Sequence, residues 1–352
     1  MAFHETAPPG REPLDVERLS EYLRGRGCLI DAHCDLARLT GGQSNPTYLL
    51  TSGSTRFVLR TKPAGHLLSS AHAIDREYRV ISALCDSGVP VPRALCYCED
   101  SRVIGTPFYV MEHVDGHVLR DPTLPGMSKS QRADVYDEMN RVIAALHSLN
   151  PDELGLSDYG RGGSYLQRQI ERWSKQYFAS RARPIEAMES LAEWLRRHHP
   201  SNERTSLVHG DLRIDNFIFD RNEPRILAVL DWELSTLGDP LADLAYHMLS
   251  WSLTSREFRG MAEFDLASLG IPSEEAHLAA YVRRTGRARV DALDWDYYLI
   301  FNMFKLVAIL QGIADRVEEG TATSDDALET SRQARPIAEL AWRRATQRLG
   351  AR

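Results

Sequence analysis

Cysteine is scarce: Cys28, Cys34, Cys85, Cys96 and Cys98 are the five in 352 residues, an odd number with no C-x-x-C pair at metal-ligand spacing. That leaves no basis for a disulfide framework or a cysteine-bound zinc, and a reduced, cytoplasmic protein is expected. An excess of basic charge is also missing. Lys and Arg number 42 against 49 Asp and Glu, a formal charge of −7, whereas sequence-independent affinity for nucleic acid needs a net basic surface. Met1 to Gly10 has neither the charged start nor the apolar run of a secretory signal. The most apolar stretch, Tyr298 to Leu310, contains Asn302 and Lys305 and reads as too short to span a bilayer. Neither nucleic acid nor membrane is therefore expected as a partner. The patterns G-x-x-x-x-G-K-[ST], G-x-S-x-G and H-E-x-x-H are absent, which removes the phosphate-loop, nucleophile-elbow and zinc-protease readings. Internal repeats and low-complexity tracts are absent as well.

The remaining composition, 43% hydrophobic and 26% charged, is that of a globular chain long enough for two or three domains. Apolar residues at helical spacing run from Leu14 to Arg26, with Gly27 as a stop. Leu39 to Lys62 reads as a hairpin, and Ala71 to Ser87 as a helix broken by Gly88-Val-Pro-Val-Pro92. Arg93 to Cys98 and Pro107 to Glu112 are further strand candidates. Beyond His113 the texture is mainly helical. Ser128-x-x-Gln131 reads as a capping box opening a helix to about His147, and helices are expected at Ser164 to Ser180, Pro184 to His199, Ser273 to Thr285, Asp294 to Glu318 and Asp325 to Leu349. One β-rich island, Leu207 to Trp232, interrupts them, with strands at Asn216 to Phe219 and Ile226 to Leu230. The expected class is α+β and bilobal: a small β-rich lobe at 1–112 and a larger helical lobe at 113–352.

The densest chemistry lies in that island. Val208-His-Gly-Asp211-Leu-Arg213-Ile-Asp-Asn216 is followed by a strand ending in Leu230-Asp231-Trp232. Phosphoryl transfer needs a carboxylate to orient and deprotonate the attacking hydroxyl, and oxygen ligands for the Mg²⁺ that bridges nucleotide phosphates. His-x-Asp with an Asn five positions after the Asp supplies both on one loop, and Asp231 supplies a further carboxylate. Taken singly, Asp211, Asp215 and Asn216 are ordinary turn formers. Their order between two apolar strands is what points to chemistry.

A second signal comes from the helix expected at 71–87. Its apolar stripe is Ile74, Tyr78, Ile81 and Leu84, and Glu77 projects on or beside that face. A carboxylate there is costly unless a cation pairs with it. Val58, Arg60 and Lys62 share one face of the preceding strand, so either Arg60 or Lys62 can be that cation. Asp239 before Pro240 reads as a helix N-cap.

These stretches resemble the protein-kinase-like fold, in the His-Gly-Asp version of aminoglycoside and choline kinases. The resemblance implies ATP and Mg²⁺ as cofactors, Asp211 as catalytic base, Asn216 and Asp231 as metal ligands, and Arg213 offsetting charge on the transferred phosphate. It further implies a phosphate-covering turn at Gly41-Gly42-Gln43-Ser44-Asn45, with Gly42, Ser44 and Asn45 near the phosphates. Val58 would lie under the adenine, Arg60 or Lys62 would hold the phosphates braced by Glu77, and Met111, Glu112 and Val114 would form the hinge. Asp243 would brace the catalytic loop, and His209 would shape it. In detail the chain is similar to the kinase-like domains fused to, or encoded beside, acyl-CoA dehydrogenases. The shared stretches are Gly42-Gln-Ser-Asn-Pro46, Ile74-Asp-Arg-Glu77, Phe108-Tyr-Val-Met-Glu-His113 and Leu230-Asp-Trp-Glu-Leu-Ser-Thr-Leu-Gly-Asp-Pro240. That implies a hydroxyacyl-CoA as acceptor and a functional association with an acyl-CoA dehydrogenase. An aminoglycoside or amino alcohol is the second acceptor class, and a nucleotide-binding pseudokinase the alternative of another kind. Asp291, Asp294 and Asp296 would favour a polycation, whereas Arg283, Arg284, Arg287 and Arg289 would favour CoA phosphates. Arg172 and Trp173 are further acceptor-site candidates.

Overall fold

Short apolar runs separated by turns build the first of two compact units. A computed structural model of the chain describes residues 14–28, 34–39, 45–63, 74–321 and 326–349. The first unit is Met1–Gly116 with Leu227–Glu233, and the second is His117–Ile226 with Leu234–Arg352. The expected division lay at 112; the first unit runs four residues further and takes in the segment carrying Asp231.

In the first unit, β1 (Asp35–Arg38), β2 (Thr47–Ser52), β3 (Thr55–Thr61), β4 (Ala94–Cys98) and β5 (Phe108–Glu112) form one antiparallel sheet in the order β1-β2-β3-β5-β4. The β3–β5 register sets Val58 opposite Met111 and Arg60 opposite Tyr109. Leu50, Leu59, Phe108 and Val110 share a core with Leu19 and Leu23 of α1 (Val16–Gly25). Asp15 caps that helix by accepting from the Arg18 amide. The second helix, α2 (Ile74–Leu84), lies against β4 and β5 and buries Ile74, Glu77, Val80, Ile81 and Leu84. The segment 227–233 is tied in by the Val229 amide, which donates to the Pro90 carbonyl at 2.8 Å.

The second unit is built around Ala292–Glu318, a helix of 27 residues. By length and composition it could cross a membrane, so the expectation that its apolar run is too short does not hold. Yet 78% of its most apolar window is buried inside the protein, and it packs on Tyr165–Ala179, Pro240–His247 and Ala334–Leu349. It is a core helix. Lys129–His147 opens with the expected capping box between Ser128 and Gln131 and packs on Glu274–Thr285. The helix expected over Asp325 to Leu349 is two, Ala327–Arg332 and Ala334–Leu349. Four short strands went unforeseen: β1, His117–Val118, Ser206–Val208 and Thr236–Gly238. Each has two to four residues, and pairing rather than local pattern defines them.

Candidate active site

In the second unit, Ser206–Val208 pairs antiparallel with Thr236–Gly238, and the loop from His209 leads through a 3₁₀ turn, Ile214–Asn216, into the strand Phe217–Phe219. The loop turns at Gly210, whose φ is +86°. A Cβ there would meet the Leu234 carbonyl oxygen at 2.6 Å, so this position requires glycine on two counts. The His209 and Gly210 amides donate to the two carboxylate oxygens of Asp243, at 2.7 and 2.8 Å. Asp243 stands in the first turn of Pro240–His247, which opens as expected with Asp239 accepting from the Leu241 amide and Pro240 following it. Burial pushes the Asp243 carboxyl up, but the His147 ring at 3.1 Å and the loop amides hold it below its ordinary value. His209 Nδ1 accepts from the Asp211 amide at 3.2 Å. The brace and the loop-shaping histidine thus occupy the positions expected of them.

Asp211 sits among donors and cations. The Asn216 amide nitrogen donates to its carbonyl oxygen at 2.8 Å and to its carboxylate at 3.1 Å. Arg213 Nε lies 3.1 Å from the other carboxylate oxygen, and the Tyr246 hydroxyl also bonds the carboxylate. Lys305, from the core helix, donates to the Gly210 carbonyl at 2.7 Å and lies 4.2 Å over the Tyr246 ring. Burial raises the Asp211 carboxyl, yet Arg213, Lys305 and the hydrogen bonds together keep it below its ordinary value. The result is an ionised, oriented carboxylate with 16% of its side chain exposed, able to receive a proton from a hydroxyl presented to it. Burial lowers Lys305 to about 8. Lys305, Tyr246 and His147 were not foreseen as parts of this cluster. For Lys305 the signal was available: a cation inside an apolar helix needs a partner.

In the first unit Arg60 is the hub. Its Nη1 lies 2.8 Å from the Glu77 carboxylate, and its Nη2 donates to Asp231 at 3.3 Å. Lys62 joins neither pair; it lies past the end of β3, and its amide donates to the Pro107 carbonyl. Burial pushes the Glu77 carboxyl up, with Arg60 opposing. Arg60 stays charged, because Glu77, Tyr109 and Asp231 outweigh its own burial. Asp231 adopts φ +64°, the left-handed region that non-glycine residues seldom occupy. Val58 and Met111 are buried on adjacent strands, Glu112 is exposed with its amide donating to Arg93, and Val114 is half-buried. Asn45 is buried, and its side-chain amide has no partner among the described residues. Gly42 and Ser44 lie outside the described residues.

Three members of the acidic and basic sets near residue 290 are engaged in local pairs and caps. Arg284 pairs with Asp137, Asp291 caps the core helix, and Asp296 pairs with Arg344 at 2.6 Å. Trp173 is a buried residue of Tyr165–Ala179, with Arg172 stacked over its ring at 5.0 Å.

Residues 35–305 match the model of the phosphotransferase enzyme family, and the chain belongs to that family, with a kinase-like fold. The mouse protein acyl-CoA dehydrogenase family member 10 is 44% identical over 337 residues, which are 94% of this chain and 31% of that protein. This chain therefore spans about a third of that relative. A Ralstonia eutropha protein provisionally described as an aminoglycoside phosphotransferase is 47% identical, with a TM-score of 0.87 over 95% of this chain and 99% of that one. A mutant of aminoglycoside phosphotransferase APH(4)-Ia, crystallised with AMP-PNP and hygromycin B, shares the fold at 18% identity, with a TM-score of 0.59 over 92% of this chain and 98% of that one.

Proposed function

We propose that the chain uses ATP and Mg²⁺ to phosphorylate the hydroxyl of a small molecule, with Asp211 as the base. The observation that carries this reading is the setting of Asp211: a carboxylate held ionised by Arg213, Lys305 and Tyr246 and fixed by Asn216. A purely binding module has no use for such a group. The carboxylate orients the acceptor hydroxyl and takes its proton as the oxygen gains its bond to phosphorus. Arg60, braced by Glu77, is the cation assigned to the nucleotide phosphates, and its guanidinium fork suits that task. Mg²⁺ takes oxygen ligands, and two donors of that kind fit it. They are the Asp231 carboxylate, a third of whose side chain is exposed, and the Asn216 amide oxygen, left over when the amide nitrogen binds Asp211. When bound, the ion would neutralise phosphate charge.

The acceptor class we favour is a hydroxyacyl-CoA, with an acyl-CoA dehydrogenase as functional partner. It is supported by the 44% identity to a protein named for that dehydrogenase family. An acceptor screen with ATP and Mg²⁺, setting hydroxyacyl-CoAs beside aminoglycosides and amino alcohols, tests this choice. Asp211→Ala is expected to bind nucleotide but to lose turnover. Turnover equal to wild type in that variant would remove the assigned base.

A further inference from the structure

The chain has four lysines, Lys62, Lys129, Lys175 and Lys305, and of these only Lys305 is buried. It stands in the core helix between the buried side chains of Phe304 and Leu306. An ammonium in such a place is costly unless its donors are met. Two groups meet them, and both bear on Asp211. The Gly210 carbonyl, on the residue before Asp211, accepts at 2.7 Å. The Tyr246 ring lies 4.2 Å from the ammonium, and its hydroxyl bonds the Asp211 carboxylate. The Trp173 ring is more distant, at 5.9 Å. One side chain therefore holds both the backbone that enters Asp211 and the ring that steadies its carboxylate. The core itself has no need of the charge, because an apolar side chain of the same length would fill the space without the penalty.

The charges that face Lys305 come from three places. The loop brings Asp211 and Arg213, Pro240–His247 brings Asp243 beside Tyr246, and Tyr165–Ala179 brings Arg172. Burial is the strongest influence and drives the proton off, Asp211 and Asp243 oppose it, and the two guanidinium groups side with burial. Lys305 is left at about 8. Asp211 and Asp243 are held below the ordinary carboxylate value, and Tyr246 well above its own. Lys305 is thus the one of these four that changes charge in mildly alkaline solution.

We propose that Lys305 is a positioning residue for phosphate transfer: its charged form aims Asp211 at the acceptor hydroxyl, and loss of its proton sets the alkaline limit of turnover. The inference rests on the phosphotransferase reading. A charged donor binds a carbonyl roughly twice as strongly as a neutral one, so deprotonation slackens the hold on Gly210 and ends the attraction to the Tyr246 ring. Asp211 then loses its aim, and transfer slows because placement counts steeply at a reacting centre. Lys305 takes no proton from the acceptor, and the nucleotide phosphates are assigned to Arg60, so nucleotide affinity is expected not to follow its charge.

One arm of the test needs no acceptor. Protein grown on lysine labelled with ¹³C at Cε gives four side-chain signals, and Lys305→Arg identifies its own by deleting it. The midpoint of that signal is expected at about 8, against about 10.4 for a lysine in water; a midpoint at the water value removes the proton switch. The second arm is kcat with saturating ATP and Mg²⁺ on the acceptor that the screen yields, from pH 6.5 to 9.5. Wild-type kcat is expected to fall about tenfold above the midpoint of the carbon signal, while Lys305→Arg stays level across the range. Lys305→Met, which keeps the volume, is expected to lower kcat about tenfold at pH 7 and to leave calorimetric affinity for AMP-PNP with Mg²⁺ within about twofold of wild type. An alkaline fall that persists unchanged in Lys305→Arg overturns the positioning role while the assignment of Asp211 stands. A wild-type rate that rises above pH 8 does the same, since the charge would then only damp the basicity of Asp211. Unfolding of Lys305→Met would make the lysine structural and overturn the role as well. If the carbon signal titrates as described and wild type phosphorylates no acceptor, the phosphotransferase reading fails and the positioning role falls with it, leaving only the buried ammonium that loses its proton early.

Discussion

Glu77 shows how far one residue can be read from sequence. Its place on an apolar helix face required a cation, and β3 offered two. The structure pairs it with Arg60 at 2.8 Å and leaves Lys62 aside. The choice was not legible because strand alternation puts both cations on the same face; the end of the sheet separates them. Glu77→Ala, which removes one of two carboxylates from a buried guanidinium, is expected to destabilise the first unit by roughly 3–5 kcal/mol. Lys62→Ala should stay within about 0.5 kcal/mol of wild type. Urea unfolding of the two variants checks this, and equal losses would mean that the pair carries no special burden. Lys305 is the opposite lesson. The sequence displayed it as an interruption in an apolar run, but its partner, the Gly210 carbonyl, lies 95 positions away and no local pattern connects them.

Among elements, those with a strong local signature were legible. The capping box at Ser128 and Gln131, the Asp239-Pro240 start and the main helices appear where spacing placed them. Of the two-to-four-residue strands, Phe217–Phe219 and Ile226–Val229 appear where expected and the other four do not, yet one of those four aims the loop that carries Asp211: Ser206–Val208 delivers the chain to Gly210. Gly210→Ala is expected to cost more than about 1 kcal/mol, because the residue must leave φ +86° or strain to keep it. The clash with the Leu234 carbonyl adds to that. Turnover should fall more than nucleotide affinity, since the displaced residue is the one preceding Asp211. Nucleotide titration and steady-state kinetics on one preparation separate the two effects; a parallel loss in both would count against the loop's separate role.

For the molecule as a whole, the two-lobed class was legible from texture, a sheet-rich third followed by helices. Assigning 227–233 to the first unit was not, because a short segment returning from a distant part of the chain leaves no compositional mark. Acid sensitivity is a property at this scale. Burial holds His247 at about 4, with Asp243 opposing, and keeps His277 well below 6.5, with His247 and Arg284 adding to the effect. Between pH 6.5 and 4 the unfolded chain takes up protons that these folded imidazoles refuse, so stability falls as pH falls, by up to about 3 kcal/mol for His247. Glu77 runs the other way: raised by burial from 4.5 to about 7, it costs stability as pH rises between those values. The comparison that isolates the histidine is wild type against His247→Leu in chemical denaturation at pH 7.0, 5.5 and 4.5. Parallel curves would sink the assignment.

The lysine of the core helix ties the loop that carries Asp211 to the backbone expected to be the slowest in the second unit to exchange its amide hydrogens. Function and cooperative melting are therefore coupled. In a urea series, phosphate transfer should vanish together with deuterium protection across 299–310, with no earlier phase in which the catalyst is lost while that helix stays closed.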